Sequence, residues 1–247
     1  MSDGEKRLTL LGHFQELRKR LIRSVIAVVI TTVLSFIFYH WIFHIFLLPA
    51  QNTQFVFIDL TEMIGTVMKV CLAGGLIVAM HYLTLQAIMF VSPALTRKEK
   101  KYIYTILPWI ALMFLVGVVF GYFILIPPAM KFLLTFGSDI ATPMIKIGNY
   151  ISIVTRLLLA IGLVFETPVV ITFLARMGIV NAKWLASKWK IVVIVAFIVA
   201  AIITPTFDPI NQSLVAIPLI VLYAMSILLA KLVQRKKTEA MATPPKP

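Results

Sequence analysis

Charge and cysteine are what this sequence has least of. Of its 247 residues only 13% are charged, acids number 10, and cysteine occurs once, as Cys71. One cysteine excludes an intramolecular disulfide framework, and the four histidines form no Cys/His cluster at the spacing of a structural zinc site. The HExxH helix of metalloproteases, the GxSxG nucleophile elbow and the P-loop are all missing. Enzyme chemistry therefore has no residue set to stand on, and no cofactor or metal is expected. What fills the chain is apolar: 60% of residues, with a mean hydropathy of +0.97. A soluble domain runs near about 45–50% apolar and about 25% charged. These values exclude a disordered chain and a soluble enzyme with one conventional core. The apolar residues fall in long blocks between short polar stretches, the pattern of a polytopic membrane protein.

Crossing a hydrocarbon core of about 30 Å takes roughly 20 helical residues. The sequence offers six candidates, at 24–43, 70–91, 102–126, 151–174, 191–203 and 213–229, so the expected fold is all-α with six transmembrane helices. Pro127 and Pro128 are expected to end the third. The first apolar run starts only after Ile22, behind a segment containing acids, so a cleavable signal is not expected; nor is there a lipidation motif. Six spans put both termini on one face. Nineteen Lys and Arg lie on that face, against Lys69, Lys131, Lys146 and Arg156 on the other. The positive-inside rule makes the nineteen-charge face cytoplasmic, N-in and C-in. That asymmetry accounts for the net charge of +13 without invoking nucleic acid.

The last two spans are expected to be short, and the pair is joined by only about nine residues with Pro205 and Pro209 among them. Such helices need local thinning of the bilayer or shelter by neighbours. The loops at 47–69 and 127–150 carry apolar segments and are expected to form interfacial caps. Residues 1–233 read as one membrane domain, and 234–247, ending in Pro244, Pro245 and Pro247, as a flexible cytoplasmic tail.

Glu166, in GLVFETPVV, is the most informative residue. A carboxylate inside a span costs on the order of 2.5–3.5 kcal/mol to insert and marks a functional site by default. Arg156 is ten residues away, roughly 15 Å along the helix, so Glu166's partner must come from another helix, another subunit or water. Pro168 frees the carbonyl of Val164 close by. On the cytoplasmic face Glu16 (GHFQELRKRL) and Glu99 (SPALTRKEKK) stand among cations. Each is either an ordinary ion pair, Glu16 with Arg20 at i,i+4, or a receptor for a guanidinium, to which a carboxylate offers bidentate geometry. His40 and His44 fit an interfacial aromatic belt with Tyr39 and Trp41 better than a metal pair. His81 is expected to bond across helices, and Gly74–Gly75 to permit close helix approach. Asp208 is placed to cap a turn, and Gln212 to reach Glu166.

In order and position these three segments, together with TPTFDPINQ between the last two spans, resemble the TatC family of the twin-arginine protein translocase over essentially the whole chain. The resemblance implies a core receptor subunit in a bacterial-type inner membrane, binding twin-arginine signal peptides of folded cargo and driven by the proton-motive force. It points to Glu16 and Glu99 for the arginine pair, with Arg18, Leu95 and Pro93 beside them and Pro49 as outer scaffold. It places Glu166 on a concave face within the membrane, in contact with TatA/TatB-type single-span partners, and puts Gln212 and Asp208 in the last polar segment. An oligomeric receptor complex is implied. The alternatives are a proton-coupled solute transporter using Glu166 and a passive assembly scaffold.

Overall fold

The computed structural model describes residues 10–50, 53–91, 97–136, 140, 144–204 and 208–242. They form a helical membrane protein. Five helical runs are long and apolar enough to cross a bilayer, Phe14–Ile37, Glu62–Phe90, Ile106–Leu133, Ile147–Met177 and Pro209–Gln234, and a shorter apolar helix, Trp189–Ile203, makes the sixth.

The first run belongs to α1, Leu10–Ile37, which carries the GHFQELRKRL segment on the same helix as the span. It stops at Phe38 (φ −104°, ψ 20°), and α2, Tyr39–Leu47, restarts after it, so the apolar block expected as one span to Phe43 is broken. α3 is Glu62–Val91 and α4 Arg97–Phe120. Beyond α4 the chain winds through one π turn, Gly121–Leu125, and continues as α5, Ile126–Thr135. Pro127 and Pro128 thus open a helix instead of ending one. Proline is tolerated in a first turn because the missing N–H has no intrahelical acceptor there.

The fourth span is α6, Ile147–Phe165, and α7, Thr167–Met177, jointed at Glu166. Gly178, at φ +83°, terminates α7 in the left-handed conformation, with the Ile179 N–H returned to the Leu174 carbonyl at 3.0 Å. After α8, Ala182–Ser187, the fifth span is α9, Trp189–Ile203, whose 15 residues reach only about 22 Å, short as expected. The last helix, α10, Pro209–Ala242, is longer than the sequence suggests, with an apolar run of 26 residues. It also continues to Ala242, through most of the region expected as a tail from 234, whose residues 243–247 lie outside the described ones. Gln234 accepts the Ala182 N–H at 3.3 Å and donates to the Val180 carbonyl at 3.1 Å, which ties the helix down where the apolar pattern has ended.

Packing centres on α6, whose Ile151, Val154, Leu157, Leu158 and Ile161 are buried. α3 packs on α1 and α6, α4 on α6, and α10 on α7 and α9. Close approach sets these crossings: a Cβ on Gly75 would lie 2.7 Å from the Thr32 Cα, and one on Gly117 would lie 3.0 Å from the Gly162 Cα. In lipid, small residues at crossings drive association because the hydrophobic effect between helices is absent. At the end where α3 and α6 begin, the two long loops form a cap. Strands β1, Phe55–Val56, and β2, Ile145–Lys146, pair in parallel, and the Tyr122 and Tyr150 hydroxyls donate to the Ile45 and Phe46 carbonyls, each at 2.7 Å.

Candidate functional site

Glu166 sits at the joint because Pro168 cannot donate to Val164 and the helix must reset. The Glu166 N–H reaches the Leu163 carbonyl at 3.1 Å, and its own carbonyl takes the N–H groups of Val169 (3.1 Å) and Val170 (3.0 Å). The side chain is 7% exposed. Its Oε1 accepts from the Thr84 hydroxyl of α3 at 3.2 Å, the interhelical partner required of a carboxyl placed in a span. Thr84 also lies 3.0 Å from the Met80 carbonyl, so its single proton serves one acceptor at a time. Both open onto a cleft of about 470 Å³ between α3, α4 and α6–α7, walled by apolar side chains such as Leu83, Ile110, Leu163 and Phe173. Among the described residues Thr84 and Glu166 are the only polar ones lining it. A cleft of this kind excludes water while offering one directional polar contact, which suits an apolar helix or chain bearing a single polar group.

At the opposite end of α3 from the cap, Glu16 Oε1 accepts from Arg20 Nε at 3.1 Å and from the Nη2 of the same guanidinium. Arg20 Nη1 reaches on to the Gln86 oxygen of α3 at 3.4 Å. Glu16, Arg20, Gln15, Lys19 and Arg23 surround a shallow polar cleft of about 380 Å³. The i,i+4 pair read as one alternative is thus formed, and the same carboxylate is seen holding a guanidinium. Arg18 is exposed beside it. Glu99 falls near the start of α4; its side chain, like Leu95 and Pro93, lies outside the described residues.

Asp208 caps α10 as its position suggests, with Oδ1 accepting the Asn211 N–H at 2.7 Å and Oδ2 the Asn211 side-chain amide at 3.0 Å. Gln212 does not reach Glu166; its Nε2 donates to the Phe197 carbonyl of α9 at 2.9 Å. The reason is height. Gln212 is in the first turn of α10, whereas Glu166 is 19 residues down the span that begins at Ile147. His81 is exposed with no hydrogen bond among the described residues, and Thr84, one turn on, takes the interhelical role expected of it. Sequence reasoning passes over Thr84 because a threonine in an apolar span more often bonds its own helix. Among the described residues no three of His, Cys, Asp and Glu gather as metal ligands.

The family model for the Sec-independent protein translocase protein TatC matches residues 12–218. A Sec-independent protein translocase protein TatC from Carboxydothermus hydrogenoformans is 40% identical over 235 residues, covering 94% of this chain and 97% of that one. One from Aquifex aeolicus is 38% identical over 238 residues, covering 94% and 98%. A solved structure of the twin arginine translocase receptor TatC superposes with a TM-score of 0.80 at 38% identity, covering 90% of this chain and 99% of the other.

Proposed function

The chain belongs to the TatC family of Sec-independent protein translocase proteins, and from that premise we propose that it is the receptor subunit of a twin-arginine translocase. In this reading it sits N-in and C-in in a bacterial-type cytoplasmic membrane, with nineteen of its 23 Lys and Arg on the cytoplasmic side. Twin-arginine signal peptides of folded cargo bind there. The observation that carries the reading is the Glu16 carboxylate, which already holds the guanidinium of Arg20 in a polar cleft. An incoming arginine exchanges with Arg20 on the same acceptor, and Glu99 provides the second carboxylate, with Arg18 and Leu95 flanking. A charge-assisted hydrogen bond contributes about 1.5–3 kcal/mol, so two independent contacts separate matched from unmatched peptides by roughly two to four decades. Lysine keeps the charge but lacks the planar fork, so it is a poorer ligand.

Within the membrane, Glu166 and its cleft take the apolar helix of a TatA/TatB-type single-span partner, and the receptor works as an oligomer powered by the proton-motive force. Away from that cleft, Gln212 ties α10 to α9 and Asp208 caps the start of α10. A solute transporter built on Glu166 would need polar lining for its solute, and among the described residues the cleft offers only Thr84 besides the carboxyl.

The test is binding of a twin-arginine peptide to the detergent-purified chain, against the same peptide with both arginines changed to lysine, at two salt concentrations. Wild type should lose at least roughly tenfold on the Arg→Lys change, with the discrimination abolished in Glu16→Ala and Glu99→Ala. Equal binding of both peptides, vanishing with salt, would mean the carboxylates are only part of a charged surface.

A further inference from the structure

Among the cations that the receptor reading does not use, two lie on the adjoining helices α3 and α6. Lys69 on α3 and Arg156 on α6 are exposed, and both lie inside spans. Lys69 Nζ donates to Ser152 Oγ at 3.0 Å, and Ser152 passes its own proton to the Gly148 carbonyl at 2.6 Å. Ser152 therefore orients the ammonium and leaves it two free N–H donors. Arg156 is one helical turn below Ser152 on the same face of α6, and its guanidinium has no hydrogen bond or ion pair among the described residues. Among the described residues no carboxylate forms an ion pair with either cation. The one acid of α3, Glu62, accepts the backbone N–H groups of Ile58 (3.0 Å) and Gly148 (3.3 Å), and α6 has no acid.

The length of the α6–α7 run bounds the depth of this pair. α6 and α7 together span 31 residues, about 46 Å, against a hydrocarbon core of about 30 Å. Centred, the run leaves about 8 Å in each headgroup layer. Ser152, five residues in, then lies at the boundary, and Arg156 lies one turn deeper, within snorkelling reach. Below them the same faces of α3 and α6 lead through apolar residues to the cleft at Met80, Leu83 and Leu163.

We propose that Lys69 and Arg156, with Ser152 positioning the lysine, seat the phosphate of a phospholipid from the leaflet on the cap side, its acyl chains lying along the apolar face toward the Glu166 cleft. The Arg156 fork and the two spare Lys69 donors match phosphate oxygens, the charges complement, and the depth is that of a lipid headgroup. Phosphate chemistry could also come from a free anion, which has no use for the apolar face below.

Native mass spectrometry of the delipidated full chain in neutral detergent tests this, with dioleoylphosphatidylglycerol, dioleoylglycerol and inorganic phosphate as probes. The expected result is one phosphatidylglycerol retained per chain, no retention of dioleoylglycerol and no displacement by millimolar phosphate. Lys69→Gln/Arg156→Gln should weaken retention roughly tenfold or more, while Lys183→Gln/Lys188→Gln, which removes equal charge at the far end, should not. Should the double variant lose its helical circular dichroism, Arg156→Gln alone gives the same test with a severalfold loss. Undiminished retention in the Lys69/Arg156 variants, or an equal loss in the Lys183/Lys188 control, overturns the proposal and leaves the two cations for a carboxylate on another membrane helix. Displacement by inorganic phosphate, with no gain from acyl chains, overturns the lipid assignment in favour of a free anion.

Discussion

The two ends of this molecule are fastened by different chemistry. At the cap, the tyrosine hydroxyls of Tyr122 and Tyr150, the carboxylate of Glu62 and the β1–β2 pair all engage backbone groups. Backbone partners cannot leave, and Tyr150 is buried, so this end is a scaffold. At the other end the Glu16–Arg20–Gln86 chain joins side chain to side chain across α1 and α3, at the edge of a polar cleft. Side-chain partners can be exchanged at little cost, because solvent and the next cation stand ready to replace them. The difference teaches where a guanidinium can enter: it finds a carboxylate with an exchangeable partner at one end, while at the other the Glu62 carboxylate is held by backbone groups.

The largest effect should come from breaking the scaffold. Tyr150→Phe removes the donor to the Phe46 carbonyl and leaves a buried acceptor unpaired, a loss of about 1–3 kcal/mol that thermal unfolding in detergent would register. Glu62→Ala should leave the helices intact yet speed amide exchange at Ile58 and Gly148, since their acceptor is gone. Gln212→Ala, which cuts one hydrogen bond from α10 to the Phe197 carbonyl, should cost about 1 kcal/mol by the same unfolding assay. Arg20→Gln should be smallest in stability, at most about 1 kcal/mol, because its ion pair is partly solvated.

Much of this was legible in one dimension, and what was not has a geometric cause. The long apolar blocks mark most of the spans, and the carboxylate inside one of them marks Glu166, because the bilayer penalises charge by depth alone. The Glu16–Arg20 pair and the Asp208 cap are local and follow from i,i+4 and N-cap spacing. Gln212 and Thr84 are different. Which of them meets Glu166 depends on the relative heights of three helices, and no spacing within one segment encodes that. The break at Phe38 and the continuation through Pro127–Pro128 were equally hidden. Both depend on the local backbone at the flanking turns, which the apolar pattern does not encode.

The proposed receptor site depends most heavily on Arg20 being an exchangeable occupant of Glu16. The measurement that tests it most directly is the affinity of a twin-arginine peptide for Arg20→Gln against wild type, at matched salt. Removing an internal competitor should tighten binding severalfold while the lysine peptide stays weak, since the glutamine leaves Glu16 Oε1 without its guanidinium. Weaker binding in Arg20→Gln, with the fold intact, would contradict the account, because Arg20 would then be helping to hold the peptide instead of keeping its place.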